Sequence, residues 1–474
     1  MALVLGVDAS TQSTKVEVRD ADTGALVARG SAPHPATTPP RSEQDPEAWW
    51  SAFEVARDRA GALELGLDPA AASFAAQQHG MVVVDAAGEV IRPAKLWNDT
   101  ESAPDTPWLL GRLDGGAAAW AEACGSVPVA AFTITKLSWL HRSEPEAWAR
   151  LDRVMLPHDW LAWRYTGELA TDRGDASGTG YWSPASGEYR DDLLAIVEGD
   201  RDWSAALPPV LGPTEATGTG DNMAAALGLG LRPGDVVVSL GTSGTVFAVH
   251  NRPTADAGGA VAGFADATGR YLPLVCTLNA TKVTDAFARL LGVDLPGLDA
   301  LALAAPPGAG GVTLVPYLDG ERTPDRPDAT GTLVGLRSDV SREQVARAAL
   351  EGVVCGLLDG LDALRAAGVD VDGGRLFLVG GGKHSAAYRR VLADLTRRVV
   401  TVPAEDELVA CGACVQAAAR TSGAAIAEVQ EAWGLAAGET VEPDLGVDVA
   451  AVRAAYATSA QLDSSGNSGR NTSA

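Results

Sequence analysis

Short apolar runs alternate along the chain with longer stretches whose apolar positions recur every three to four residues, the pattern of an α/β protein. Leu3 to Val7, Lys15 to Arg19 and Ala25 to Ala28 predict three strands, with Asp22-Thr23-Gly24 as the turn between the last two. A helix is expected next: Asp45 suits its N-cap, Pro46 its first position and Glu47 its positive end. Trp49, Phe53, Ala56 and Ala60 then share one face. Ala71 to Gln77 and Met81 to Asp85 read as strands flanking His79-Gly80, and Asp159 to Tyr165 reads as a helix ending at Gly167.

The same strand grammar restarts near Gly234-Asp235, where Val236 to Leu240 and Thr245 to Val249 predict a second opening pair. Ser341 and Gln344 form a capping box before a helix with Val345, Ala349, Val353 and Leu357 on its apolar stripe. Arg375 to Val379 predicts a strand ending at Gly380-Gly381-Gly382, with a helix through Tyr388 to Leu395 behind it. The expected division is residues 1–233, residues 234–435 and an extension over 436–474, disordered from about Ser464, where Ser, Asn, Gly and Thr predominate.

Composition narrows the class. A chain of 474 residues is too long for one core, and 46% hydrophobic with 21% charged residues is the balance of a globular protein. A formal net charge of -24 argues against nucleic acid or an anionic membrane as a partner, but local donors and a metal can still hold a nucleotide. Of five cysteines only Cys411 and Cys414 are close, and no second pair completes a zinc site, so reduced, packed thiols are expected. No basic-then-apolar leader and no membrane-length apolar run is present, so a cytoplasmic location is expected.

The chemistry concentrates in turns that follow strands. Asp8 ends the first one, where a carboxylate can meet Mg²⁺ through water or close an Asx turn; Thr11 and Lys15 follow at a spacing suited to phosphate. Gly241-Thr242-Ser243-Gly244 offers backbone and hydroxyl donors to a second phosphate, or a plain hairpin turn. Asp221 in Gly218-Thr219-Gly220-Asp221-Asn222 is a carboxylate on a glycine-flanked loop. It suits a general base that takes a proton from an acceptor hydroxyl, or alternatively a cap on a helix starting near Met223.

These segments resemble the FGGY carbohydrate kinases over nearly the whole chain, to about Leu435. The resemblance is carried by Gly331-Thr332-Leu333-Val334-Gly335-Leu336 continuing through Gln344, Ala348 and Glu351, and by Phe132 to Leu140, which departs from the family pattern at Ala131 and Ser143. Pro157 to Leu161, Thr171-Asp172 and Asp175 to Gly178 are also similar. It implies an α/β fold of two ribonuclease-H-like domains of the actin/hexokinase type, with a mixed five-stranded sheet in each and sugar and ATP in a central cleft.

The resemblance also implies roles. Asp221 becomes the catalytic base and Asp8 the Mg²⁺ residue, acting through water. Gln78, His79, Asn222 and Asp221 bind sugar, with Trp97-Asn98-Asp99 near the sugar side, although Trp97 would also suit a core. Thr11, Lys15, Gly241, Thr242 and Ser243 hold phosphates, while Gly380, Gly381, Gly382 and Ser385 form an adenosine loop. Gln78 stands where relatives acting on a ketopentose usually carry Met, which leaves other ketoses and polyols open as substrates. The expected ligands are a sugar, ATP and Mg²⁺, with a homodimer as a candidate assembly; a non-catalytic sugar sensor is the rival from another class.

Overall fold

Strand Leu3–Ala9 buries nearly every side chain, so it lies in the interior of a sheet covered on both faces. It pairs antiparallel with Ser13–Asp20, which pairs antiparallel with Leu26–Pro33. On its other side Leu3–Ala9 pairs parallel with Ala72–Ala76, followed by Gly218–Gly220, also parallel. This mixed sheet is the centre of the first of two compact units in the computed structural model, which describes residues 2–466.

One face of that sheet is covered by helix Pro46–Arg59. The Asp45 side chain accepts the Glu47 N–H at 3.0 Å, Pro46 opens the helix, and Arg57 and Arg59 sit in the last turn. Its buried Phe53 meets Phe74 of the sheet with ring centroids 5.3 Å apart, and Tyr165 at 5.8 Å. Truncating Phe53 to Ala would cost about 3–5 kcal/mol, because the rings around it could not collapse to fill the space. The other face is covered by helix Leu408–Ser422, which approaches so closely that a Cβ on Gly6 would stand 2.1 Å from the Ala410 carbonyl oxygen. The same helix packs Gly412 onto helix Asp221–Gly228, where a Cβ would lie 1.8 Å from the Ala224 carbonyl oxygen.

The second unit repeats the scheme. Strand Val236–Leu240 pairs antiparallel with Gly244–Ala248, which pairs antiparallel with Tyr271–Thr277. On its other side come the parallel strands Leu376–Val379 and Val400–Pro403. Strand Gly438–Val441 at one end and Ala262–Ala265 at the other extend this sheet to seven strands, two more than the family resemblance implies. Helix Arg342–Ala366 backs this unit, and its start is the expected box: Ser341 Oγ accepts the Gln344 N–H at 3.3 Å while Gln344 Oε1 accepts the Ser341 N–H at 2.9 Å.

Two segments pack apart from their place in the chain. Val249–Pro273 and Glu407–Ala436 belong to the first unit, although both fall inside residues 234–435. The reason is packing: helix Leu408–Ser422 completes the buried face of the first sheet, and close glycine contacts hold it there. Helix Pro157–Thr166 starts two residues earlier than expected, with Pro157 at its first position, and ends on left-handed Gly167 as anticipated. Ser464, where disorder was expected to begin, still lies in helix Val449–Gly466; residues 467–474 lie outside the described residues. Cys411 and Cys414 are both buried in helix Leu408–Ser422.

Candidate active site

In the first unit the parallel strands Leu3–Ala9, Ala72–Ala76 and Gly218–Gly220 end side by side, and the candidate residues sit on the turns beyond them. Asp221 is the first residue of helix Asp221–Gly228, whose N-cap is Gly220. Asp221 therefore does not cap a helix starting near Met223. Its Oδ1 accepts the adjacent Asn222 N–H at 2.8 Å and the Asn222 side-chain amide at 3.0 Å. Burial, reinforced by the charge of Asp175, pushes its carboxyl up to about 7.

Asn222 also donates to Gln78 Oε1 at 2.9 Å, so Asp221, Asn222 and Gln78 form one hydrogen-bonded chain. The Gln78 amide nitrogen is buried without a partner, as is Asn98 Oδ1. Such orphaned polar atoms are costly unless a ligand satisfies them. His79 holds a left-handed backbone at φ +66°, uncommon for a side chain of this size. Its Nδ1 lies 2.7 Å from the Gly178 carbonyl oxygen, and its ring stacks against Phe132 and Phe264 with centroids 4.8 and 5.5 Å away.

Asp8 is buried, and its Oδ1 has no hydrogen-bond partner. Desolvation pushes its carboxyl up to about 7 despite Lys15; Asp221 and Glu407 act in the same upward direction as burial. Lys15 Nζ stands 3.9 Å from Asp8 Oδ2 but only 2.6 Å from Glu407 Oε2, so its first partner is a carboxylate that the sequence analysis did not single out. Thr11 accepts a hydrogen bond from the indole of Trp97 at 2.9 Å and donates to Gln77 at 3.3 Å. Trp97 is 37% exposed, so it does not pack a core.

The second unit carries the other candidates. Gly241, Thr242 and Ser243 connect the paired strands Val236–Leu240 and Gly244–Ala248. The turn is thus a hairpin, and the Gly241 and Thr242 carbonyls also accept N–H groups at the start of helix Thr281–Leu291. Gly380 has φ +80°, and a Cβ there would stand 2.6 Å from the Leu240 carbonyl oxygen, so the loop needs glycine to lie against the central strand. Gly381, Gly382 and Ser385 line a cavity of about 490 Å³ whose wall includes Leu295, Leu298 and Tyr388. Ser385 caps helix Ala386–Thr396 by accepting the Tyr388 N–H at 3.0 Å, and donates to Asp299 at 2.6 Å. Asp299 too went unnoticed in the sequence.

Two residues of the family-like segments hold local structure. Glu351 pairs with Arg347 at 2.6 Å and accepts the Gly308 N–H at 3.0 Å. Buried Lys136 donates to the carbonyls of Ala130, Ala131 and Phe132, and desolvation lowers it to about 7. Glu43, Asp99 and Glu101 gather closely enough to hold a metal, but the Lys95 ammonium already lies within 3.0 Å of each.

The two sheets repeat one core pairing order, the duplication of a sugar-kinase fold. The model of the N-terminal domain of the FGGY family of carbohydrate kinases matches residues 3–249, and that of its C-terminal domain matches residues 236–421. The chain belongs to the FGGY family of carbohydrate kinases and has its two-domain α/β fold. It is 48% identical over 459 residues to the xylulose kinase of Streptomyces coelicolor, covering 93% of this chain and 92% of that one. The xylulose kinase of Streptomyces rubiginosus is 47% identical with the same coverage. The crystal structure of xylulose kinase from Bifidobacterium adolescentis is similar at a TM-score of 0.85 and 43% identity, covering 96% of this chain and 99% of that one.

Proposed function

We propose that this carbohydrate kinase transfers a phosphoryl group from ATP to a ketopentose, converting D-xylulose to D-xylulose 5-phosphate. The ground for the ketopentose is the set of relatives named above. The observation that carries the chemistry is the chain Asp221–Asn222–Gln78, which ties a carboxylate with its pKa near neutrality through Asn222 to Gln78, whose buried amide nitrogen has donors to spare.

In this reading the Asp221 carboxylate accepts the proton of the sugar's terminal hydroxyl as that oxygen attacks the γ-phosphorus. Asn222, Gln78 and His79 orient the sugar; Asn222 also fixes the Asp221 carboxylate, so the base does not need to reorganise during transfer. Thr11 and Lys15 of the first unit offer a donor and a charge to phosphate; in the second unit the turn of Gly241, Thr242 and Ser243 offers backbone and hydroxyl donors suited to phosphate. Gly381, Gly382 and Ser385 line the cavity assigned to adenosine, and Gly380 sets the turn that leads into it.

Asp8 fits Mg²⁺. It is a buried carboxylate with an orphaned oxygen and a proton affinity raised by desolvation, both of which a divalent cation would relieve. Bound there through water, Mg²⁺ would offset negative charge on the polyphosphate during transfer. The test is a coupled ADP-release assay over a panel of ketoses and polyols with MgATP. Turnover led by D-xylulose supports the reading. Turnover led by another sugar removes the substrate, and no turnover with any sugar removes the activity.

A further inference from the structure

Behind Asp221 lies a charged cluster that the transfer chemistry does not use. His158, on helix Pro157–Thr166, is buried with Asp159, Asp172 and Asp175 around it, and the phenol of buried Tyr181 feels Asp159 and Asp175. His158 Nδ1 lies 2.7 Å from Asp175 Oδ2, and Nε2 lies 3.0 Å from Asp159 Oδ1 and 3.9 Å from Asp172 Oδ1. An ionised carboxylate offers only lone pairs, so a ring with a carboxylate oxygen against each nitrogen is satisfied when both nitrogens carry hydrogen. Burial works against that charge, but Asp159 and Asp175 outweigh it and hold His158 well above the usual imidazole value.

The cluster is connected to the strand that delivers Asp221. Asp172 caps the short helix that carries Asp175, accepting the Asp175 N–H at 2.9 Å and the Gly174 N–H at 2.9 Å. Its Oδ2 also accepts the Thr219 hydroxyl at 2.7 Å, and Thr219 stands two residues before Asp221. The imidazole packs directly on the same strand: a Cβ on Gly218 would stand 2.7 Å from its edge. Three carboxylates facing one cation inside the protein would repel one another and move without it.

We propose that His158 is a positioning residue for phosphoryl transfer: as an imidazolium clamped between Asp159 and Asp175, it steadies the Asp172–Thr219 link and holds strand Gly218–Gly220 where Asp221 can reach the acceptor hydroxyl. This rests on the reading of Asp221 as the base. The role is one of charge, so the conservative replacement is a cation rather than a residue of similar volume. A buried histidine kept only for packing would behave in the opposite way.

The test is ¹⁵N NMR of histidine-labelled full-length protein together with steady-state kinetics. The His158 ring should show the imidazolium pattern up to pH 8, and in Asp175→Asn it should titrate at lower pH, because one of its two partners has lost its charge. His158→Gln should lower kcat about 10- to 100-fold, the range expected of a small misplacement of a reacting group, with KM for sugar and ATP little changed. His158→Lys should recover more of kcat than His158→Gln. A neutral ring at pH 7, an unmoved titration in Asp175→Asn, or a His158→Gln variant as active as the parent would each overturn the proposal. Should His158→Gln fail to fold, the two ring measurements still decide. In Asp221→Ala the ring pattern should persist; full turnover there would remove the base assignment without touching the charge state of His158.

Discussion

Lys15 and Glu407 are 392 residues apart in the sequence, and their ammonium and carboxylate meet at 2.6 Å. Both belong to the first unit, because the segment that begins at Glu407 returns to cover its sheet. Burial works against the ammonium, but the hydrogen bond to Glu407 and the charges of Glu407 and Asp8 outweigh it and raise Lys15 above the usual lysine value. Glu407 thereby keeps Lys15 at 3.9 Å from Asp8, short of a direct pair.

That geometry predicts a change in metal demand. In Glu407→Gln, Lys15 is released toward Asp8 and competes there with Mg²⁺. A partly exposed pair is worth no more than about 1 kcal/mol, so the Mg²⁺ concentration for half-maximal rate should rise roughly two- to fivefold. A magnesium titration at saturating ATP and sugar measures it. An unchanged half-saturation would mean that Glu407 does not restrain Lys15.

Asp8 and Asp221 should make the free protein less stable as the solution becomes alkaline. Each carboxyl is raised from 3.8 to about 7, so the folded chain binds these protons more tightly than the unfolded chain. The stabilisation is full below the unfolded value and is lost as pH rises through about 7. Asp8→Asn and Asp221→Asn should therefore each flatten the fall in Tm between pH 5 and 8. At pH 8 each should melt above the parent, by about 1–2 °C for each kcal/mol relieved. Calorimetry across that range would expose a failure as parallel Tm curves for parent and variants.

His79 should matter to the sugar alone. Its ring is fixed by the Gly178 carbonyl and two phenyl rings, and its left-handed backbone is the sort of local strain that persists where surrounding contacts impose it. Losing one hydrogen bond to a sugar hydroxyl costs about 0.5–1.5 kcal/mol. His79→Ala should then raise KM for the ketose about 3- to 12-fold and leave nucleotide affinity unchanged. Equal losses of sugar and nucleotide binding would assign His79 to the fold.

Features governed by near neighbours were legible in the sequence. The Asp45 cap, the Ser341–Gln344 box and the Gly167 stop each depend on residues within one helical turn, and each has the expected geometry. The duplicated strand grammar at Leu3 and Val236 likewise gives two sheets whose five core strands share one pairing order. The long-range contacts were not legible. Nothing local marks Glu407 as the partner of Lys15, or Asp299 as that of Ser385. The charge cluster at His158 draws on Asp159, Asp172 and Asp175, and only their convergence in space gives the ring its charge. Trp97 was open between core and site because an indole suits both, and only its exposure excludes the core.

The central claim is that Asp221 accepts the proton of the attacking hydroxyl, and Asp221→Ala tests it most directly. Coupled ADP release with D-xylulose and MgATP should fall by about 10²–10⁴-fold, the loss expected when general-base assistance is removed. Calorimetric binding of nucleotide should remain close to that of the parent, and the variant should still unfold in a cooperative transition. A folded Asp221→Ala protein that turns over D-xylulose at the parent's rate would contradict the account.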